Sequence, residues 1–311
     1  MWCNRRHVDP VHPPIRKIVN YLQHLLSVPI KVATILTHIS ALSVCCNPID
    51  GASIGNHPLV KTWVKGAKAL NPRIRTLMPA WSLPVVLSAL REPPYEPLAQ
   101  ADLKHVTLKT AFLIAITSAR RISELQALCM AEPFLILNPA SAFLRVNNAF
   151  LPKVPSDLAL NADIQLQAFY SKPRTALEKE HRKNCPIRAL RYYLAATKQV
   201  REQEICLFVS FSEKKKGSPA SKRMISSWIA EVIRAAYLCM GHEDPMSIRA
   251  NPHSLRGVAT SFAELGAVSP AEICRAATWS KYCMFSKAYR LDYIAKGNFG
   301  ASVLETASKH Q

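Results

Sequence analysis

Six side chains in the last two thirds of the chain have the chemistry of a phosphate-binding site with a nucleophile. In chain order they are Arg121, Lys153, His253, Arg256, Trp279 and Tyr289. Guanidinium, ammonium, imidazole and indole groups donate hydrogen bonds that phosphate oxygens accept, and a phenol oxygen can attack phosphorus. In a basic chain, this set predicts a protein that breaks and rejoins DNA without a metal.

The charge balance favours a polyanionic partner. The 311 residues include 40 Lys and Arg against 21 Asp and Glu, a net charge of +19. Phosphates attract such a surface, and released counterions add affinity. Because 49% of the residues are hydrophobic, the chain can bury a core, which argues against a disordered basic tail. A basic ribosomal-type or merely soluble protein is the alternative.

His253 and Arg256 are predicted to share one face at the start of a helix. Asn251 is suited to cap that helix and Pro252 to its first position. Residues at i and i+3 project together, beside the free N–H groups and positive end of the helix, which favour a bound phosphate. The same spacing is common in helices that have only a structural role.

Arg121 lies where one apolar segment ends and the next begins, with Arg120 as the competing choice. Because the flanking sequence is apolar, at least one of the two arginines should point inward and need a partner. Glu124, one turn further, is expected to orient it through a bidentate pair. Alternatively, both arginines are ordinary surface charge at a helix junction.

Lys153 ends a strand-like segment and could protonate a leaving oxygen as a general acid. Lysine on an edge strand more often serves to discourage aggregation. Lys172 is the weaker alternative for the same role.

Trp279 follows a helix with a good N-terminal cap, and its indole N–H can donate one hydrogen bond. A core position is the commoner role for tryptophan in such a place. Three tyrosines crowd the segment after it, at Tyr282, Tyr289 and Tyr293. Tyr289, one short helix beyond Trp279, is the candidate nucleophile.

The first part of the chain reads as a small helical domain. The apolar spacing predicts helices over Ile15–Leu26, Val32–Val44, His57–Leu70 and from a cap at Ser82 to Leu90. The third of these carries Lys61, Lys65 and Lys68 on one side. A lysine stripe is usually a solvated face, but the net charge favours contact with the DNA backbone. We expect this domain to span 1–90.

Residues 91–100 contain three prolines and form the predicted linker, and 101–311 form the predicted second domain. Helices are expected at 102–118, 186–197, 221–240, 251–266, after a cap at Ser269, and over 285–293. A capping box at Ser123 and Gln126 starts one more helix. Strands are expected only at 134–137 and 142–154.

The nine cysteines form no C-x-x-C pair and indicate mostly core thiols in a reducing compartment, nuclear or cytosolic. Cys239, His242 and His253 match no zinc spacing, so no metal or other cofactor is expected. No apolar run reaches the ~18 residues of a membrane span.

The motifs in this order resemble the tyrosine recombinase (phage integrase) family. The resemblance is carried by Arg-Ile-Ser-Glu-Leu at 121–125, His-Ser-Leu-Arg at 253–256, Trp279 and Tyr289. Further stretches resemble recombinases of eukaryotic DIRS/Ngaro-type retrotransposons. These are Asn-His-Pro-Leu-Val at 56–60, Phe-Leu-Pro-Lys-Val at 150–154, Cys-Pro-Ile-Arg-Ala-Leu-Arg-Tyr-Tyr-Leu at 185–194 and Ile-Cys-Arg-Ala-Ala-Thr-Trp-Ser at 273–280.

The resemblance implies a role for each residue. Four donors would hold the non-bridging oxygens of the scissile phosphate: Arg121, His253, Arg256 and Trp279. His253 would also help proton transfer, and Lys153 would protonate the departing 5′ oxygen. Tyr289 would form a 3′-phosphotyrosyl intermediate that preserves the bond energy for resealing.

The resemblance also implies a mainly α fold with two domains. An N-terminal helical core-binding (SAM-like) domain would precede a mostly helical catalytic domain with a small β-hairpin or sheet. The partner would be double-stranded DNA, bound by several copies of the chain in the nucleus. A descendant that only binds DNA is one competing hypothesis, and a helical scaffold unrelated to nucleic acid is another.

Overall fold

The computed structural model describes residues 2–72, 81–152, 163–201, 205–241, 245–248 and 250–291. Within them, the side chains of 245, 252, 253, 287 and 288 are not described. By internal contacts the chain divides into two units, Met1–Arg75 and Thr76–Gln311. The mainly α fold with a small antiparallel sheet, expected from the sequence, is confirmed.

The first unit is a small helical bundle. Its helices are α1 (Trp2–Arg5), α2 (Ile15–Ser27), α3 (Val32–Cys45) and α4 (Pro58–Leu70), with a 3-10 turn at Ile54–Asn56. Helices α2, α3 and α4 pack on one another through buried apolar side chains such as Leu22, Ile35 and Val60. The predicted helices agree to within one residue, because their apolar faces recur with helical period.

The second unit contains the longer helices and the sheet. Its helices are α5 (Leu83–Ala89), α6 (Leu103–Ser118), α7 (Ile122–Gln126), α8 (Ala176–Arg182), α9 (Pro186–Thr197), α10 (Lys222–Cys239), α11 (Pro252–Leu265), α12 (Pro270–Ala276) and α13 (Cys283–Ala288). Most of these were expected. Helix α8 was not expected, although Thr175 and Glu178 form a capping box at its start.

Helix α6 is the centre of this unit. It packs against α9, α10, α11 and the sheet, and nearly every residue from Val106 to Ser118 is buried. A helix that is apolar on all sides belongs in a core. Asp102 caps its start by accepting a 2.8 Å hydrogen bond from the His105 N–H. Ala119 ends it in the left-handed conformation (φ 53°), which turns the chain toward α7.

The sheet has three antiparallel strands in the order β1 (Leu135–Leu137), β2 (Ser141–Leu144) and β3 (Ile164–Gln167). The predicted second strand, 142–154, is too long, because β2 ends at Leu144 and the chain turns at 147–150. Strand β3 was not predicted. Its alternation, with Ile164 and Leu166 buried between exposed glutamines, spans only four residues.

Residues of the predicted linker lie in the core of the second unit. Tyr95 and Leu98 are buried there, and α5, expected in the first domain, packs against α10. The three prolines do keep 91–100 out of regular helix, but the apolar residues between them are buried. The division by contacts therefore falls earlier, between Arg75 and Thr76.

A buried charge network fixes this segment. Glu96 accepts a bidentate pair from Arg188, at 2.6 and 2.9 Å, and bonds the Lys109 ammonium, which is fully buried in α6. Burial would raise the pKa of Glu96, but the hydrogen bonds from Arg188 and Lys109 outweigh it and lower that pKa. Burial lowers the pKa of Lys109 to about 8 despite Glu96. The network joins the 91–98 segment to α6 and α9.

None of the helices in the described ranges combines the length and apolar character that a membrane span requires.

We expect Glu96→Gln to lower the free energy of unfolding by about 3–5 kcal/mol, because it leaves the Lys109 and Arg188 cations without their counter-charge. Urea denaturation measures the change. Glu213→Gln is the matched control, since Glu213 is 88% exposed and should shift stability by less than about 0.5 kcal/mol. Equal effects of the two substitutions would show that the buried network does not hold the segment.

Candidate active site

Arg121 is placed by the turn between α6 and α7. It is the N-cap residue of α7, and about a quarter of its side chain is exposed. Its Nη1 donates to Glu124 Oε1 at 2.9 Å and to Thr278 Oγ1 at 3.3 Å. The guanidinium is thus oriented by one partner on its own helix and one on the segment after α12, and it keeps contact with solvent.

Glu124 is the buried carboxylate at this junction. Besides the Arg121 guanidinium, its Oε2 accepts from the Arg121 N–H at 3.4 Å and lies 3.7 Å from Arg120 Nη1. The predicted capping box at Ser123 and Gln126 is therefore wrong by two residues. Helix α7 starts at Ile122, and its carboxylate cap is Glu124, three residues after the N-cap.

The two adjacent arginines differ in exposure and in their partners. Arg120 is 4% exposed, and its Nη2 donates to the Asp163 carbonyl at 3.1 Å. Arg121 reaches solvent from the same junction. The expectation that one of the two arginines points inward therefore applies to Arg120.

Arg256 lies in the first turns of α11 and is 3% exposed. Its Nη2 donates to the Ala277 carbonyl, while its Nε is buried without a hydrogen-bond partner among the described residues. Burial, and then the nearby Arg121 charge, lower the pKa of Arg256 to about 10, so it stays protonated at neutral pH. A buried cation with an unused donor is suited to an anionic ligand.

Two aromatic rings flank the Arg256 guanidinium. Its central carbon lies 5.1 Å from the Trp279 ring centroid and 5.5 Å from that of Tyr289, within cation–π range. The two rings are 4.7 Å apart at 33°. Trp279 is buried and also stacks on Phe285. Trp279 therefore also has the core packing role that is common for tryptophan.

Thr278 makes the turn that presents Trp279. It has a left-handed backbone (φ 53°), and the backbone N–H of Trp279 donates to the Cys274 carbonyl at 2.9 Å. The Thr278 hydroxyl donates to the Ala277 carbonyl and accepts from Arg121. This turn therefore connects both arginines, since Arg256 bonds the same Ala277 carbonyl. Sequence reasoning missed Thr278.

Tyr289 follows α13 directly and passes close over α11. A Cβ on Gly257 would lie 2.9 Å from the Tyr289 carbonyl oxygen, nearer than a side chain tolerates. The next residues are anchored on α11, with Arg290 Nε 3.0 Å from Glu264 Oε2 and the Leu291 N–H 3.0 Å from Ser261 Oγ. Gly257 was also missed, although glycine inside a helix often marks such a close approach.

Tyr282 is occupied elsewhere. Its hydroxyl donates to Glu264 Oε1 at 2.5 Å, and burial together with this bond raises the pKa of Tyr282 to about 12. The Tyr282 hydroxyl is therefore engaged with Glu264. Tyr293 lies outside the described residues.

Two of the six expected residues lack described side chains. Lys153 lies outside the described ranges, and so does the side chain of His253, whose backbone is in α11 one turn before Arg256. Lys172, the alternative to Lys153, is exposed in the bend after β3. The expected basic residues of the first unit, Lys61, Lys65 and Lys68, are all exposed on α4.

The structure brings together Arg121, Glu124, Arg256, Trp279 and Tyr289. Three guanidinium groups, counting Arg120, lie near the carboxylate of Glu124. The site is therefore electropositive, and a phosphate placed beside Arg121 would balance it. No group of three His, Cys, Asp or Glu side chains able to hold a metal ion occurs in the part of the chain that the structure describes.

The fold is similar to that of a solved recombinase, XerH. XerH site-specific recombinase bound to its palindromic difH substrate, in a post-cleavage complex, superposes with a TM-score of 0.55 at 12% identity, covering 94% of this chain and 72% of that one. XerA recombinase superposes with a TM-score of 0.43 at 15% identity, covering 96% and 91%. No family model and no curated protein matches the sequence. The likeness to XerH shows the fold alone.

We expect Glu124→Gln to lower the free energy of unfolding by about 3–5 kcal/mol, because Arg120 and Arg121 lose their shared counter-charge. Thermal or urea unfolding measures the change. Glu231→Gln serves as control, because Glu231 pairs with Lys104 at the surface and such pairs contribute at most about 1 kcal/mol. A destabilisation no larger than the control's would mean that Glu124 does not hold the arginines.

Proposed function

We propose that this protein breaks and rejoins DNA strands by transesterification, with Tyr289 as the nucleophile. The observation that carries the proposal is the convergence of Arg121, Arg256, Trp279 and Tyr289 around one electropositive position. The fold shared with XerH, whose solved structure is a post-cleavage complex with its substrate, supports it.

In the proposed step the Tyr289 oxygen attacks the scissile phosphorus. A bond forms between that oxygen and the phosphorus, and the bond to the 5′ oxygen breaks. Arg121 and Arg256 would neutralise the charge that grows on the non-bridging oxygens, which is where fixed donors contribute most. Lys153 is the proposed proton donor to the departing 5′ oxygen, and His253 would assist proton transfer from the phenol.

The reverse reaction would reseal the strand. The 3′-phosphotyrosyl bond stores the energy of the broken phosphodiester, so a 5′ hydroxyl can displace the tyrosine without a nucleotide. The proposed chemistry needs no metal, because guanidinium groups carry out the charge stabilisation.

We further propose that the first unit binds the DNA backbone through Lys61, Lys65 and Lys68. All three are exposed on one helix, as a phosphate contact requires. The second unit would be the catalytic domain, acting with other copies of the chain on double-stranded DNA. The motif resemblance points to a recombinase of DIRS/Ngaro type that works in the nucleus.

Tyr289→Phe should abolish a covalent protein–DNA adduct while DNA binding is retained, because only the attacking oxygen is removed. The measurement uses a nicked suicide duplex, on which the cleaved fragment diffuses away and traps the adduct for denaturing electrophoresis. The target sequence is first selected from random duplexes by binding.

Tyr282→Phe is the matched control and should keep the adduct, since the Tyr282 hydroxyl is bonded to Glu264. An adduct that survives Tyr289→Phe but disappears with Tyr282→Phe would reassign the nucleophile. Salt-sensitive binding with no adduct in the unaltered protein would favour the competing hypothesis, a descendant that binds DNA without cutting it.

We expect the triple replacement of Lys61, Lys65 and Lys68 by Gln to make DNA binding less sensitive to salt. The slope of the logarithm of the binding constant against the logarithm of the salt concentration should become shallower by roughly one unit for each phosphate that the helix no longer neutralises. Fluorescence anisotropy with duplex DNA at several salt concentrations measures the slope. The control replaces Lys214, Lys215 and Lys216 by Gln, an exposed run in the second unit with the same total charge. Identical slopes for both variants would show that α4 makes no special contact.

A further inference from the structure

Cys129 and Cys206 lie directly opposite one another in the second unit. They form an isolated antiparallel bridge between the segment after α7 and the segment before α10. The flanking hydrogen bonds run from the Leu207 N–H to the Leu128 carbonyl and from the Met130 N–H to the Ile205 carbonyl, both 2.8 Å. The two cysteines are thus the non-hydrogen-bonded pair of this bridge.

In this register the side chains of opposed residues can be joined by a disulfide. Opposed residues of a non-hydrogen-bonded antiparallel pair have Cα atoms about 4.5 Å apart and side chains on the same face. Disulfides span Cα distances of roughly 4.4–6.8 Å. A bond between Cys129 and Cys206 would therefore join segments that already pair, with no change of fold.

The pair can be reached from outside. Both cysteines are in the thiol form and line a cavity of about 230 Å³, together with Gln126, Asn147 and Phe150. Cys129 is 2% exposed, whereas Cys206 is partly exposed. A small reagent that enters the cavity would meet Cys206 first and leave Cys129 as the resolving thiol.

We propose that Cys129 and Cys206 are an oxidisable dithiol, a covalent modification site that small disulfide compounds convert into an intramolecular disulfide. The Cys206 thiolate attacks the reagent's S–S bond, forming a mixed disulfide and releasing one reagent thiol. The Cys129 thiolate then attacks the Cys206 sulfur and releases the second. The two thiol protons of the protein pass to the two released thiolates, and the reagent is reduced by two electrons.

The site is separate from the proposed DNA chemistry. The bridge begins three residues after α7 ends, so a disulfide here would tie the segment that follows α7 to the segment around Cys206. In a reducing compartment such a bond is transient, as in redox-sensing proteins. The proposal stands whether or not Tyr289 cleaves DNA.

The test treats the reduced full chain with oxidised glutathione, unfolds it in denaturant, blocks the remaining thiols by alkylation, and maps peptides without reduction. A variant with Cys45, Cys239 and Cys283 replaced by Ser is used beside the unaltered protein, because these exposed thiols would otherwise add glutathione. We expect one linked peptide pair holding Cys129 and Cys206, lighter by two hydrogen atoms than the free peptides and absent once a reductant is added.

Cys206→Ser is the matched control and should leave Cys129 fully alkylated, with no linked peptide. The linked pair in the triple variant is sufficient support even if that control folds poorly. Glutathione that remains attached to Cys206, or oxidation that links other cysteines while Cys129 stays reduced, would overturn the proposal.

Discussion

The carboxylate of Glu124 accepts hydrogen bonds from Arg121 and lies beside Arg120, while Arg256 is buried within reach of the same charges. This carboxylate thereby pairs with two of the three cations that cluster at the end of α6. Such a cluster is costly to bury, and backbone carbonyls and the Thr278 hydroxyl, which also accept from these guanidinium groups, carry no full charge. The geometry that organises the arginines is also what makes the site attract an anion.

Helix α6 connects this cluster to the rest of the second unit. Its C-terminal end leads into the arginine junction, and its middle carries Lys109 into the Glu96 network. Both places combine a buried carboxylate with an arginine supplied by another helix or by an adjoining turn. Charge pairing of this kind fixes orientation more than it adds stability, since the cost of desolvation offsets most of the attraction. The positions of Arg121 and Arg188 are therefore defined by directional bonds.

The helices could be predicted because apolar residues recur along them and caps mark their starts. The burial of the predicted linker at 91–100 was harder to predict, because prolines indicate an irregular backbone but not whether it is exposed. Around Tyr95 and Glu96 that backbone is buried. Strand β3 is too short for its alternation to stand out. At the site, residue chemistry pointed to Arg121 and Tyr289, but the pairing of Thr278 with Arg121 joins positions 157 residues apart. Only the folded backbone supplies such a contact.

The close passage of Tyr289 over Gly257 excludes a larger residue at position 257 while the Tyr289 segment keeps its place. The carbonyl of one and the Cα of the other leave room for a hydrogen atom and nothing larger. The segment that carries the Tyr289 phenol can lie this close to the helix only because residue 257 has no side chain. A methyl group at position 257 would act as a wedge, lifting the aromatic ring away from the guanidinium beneath it while every chemical group of the site remained.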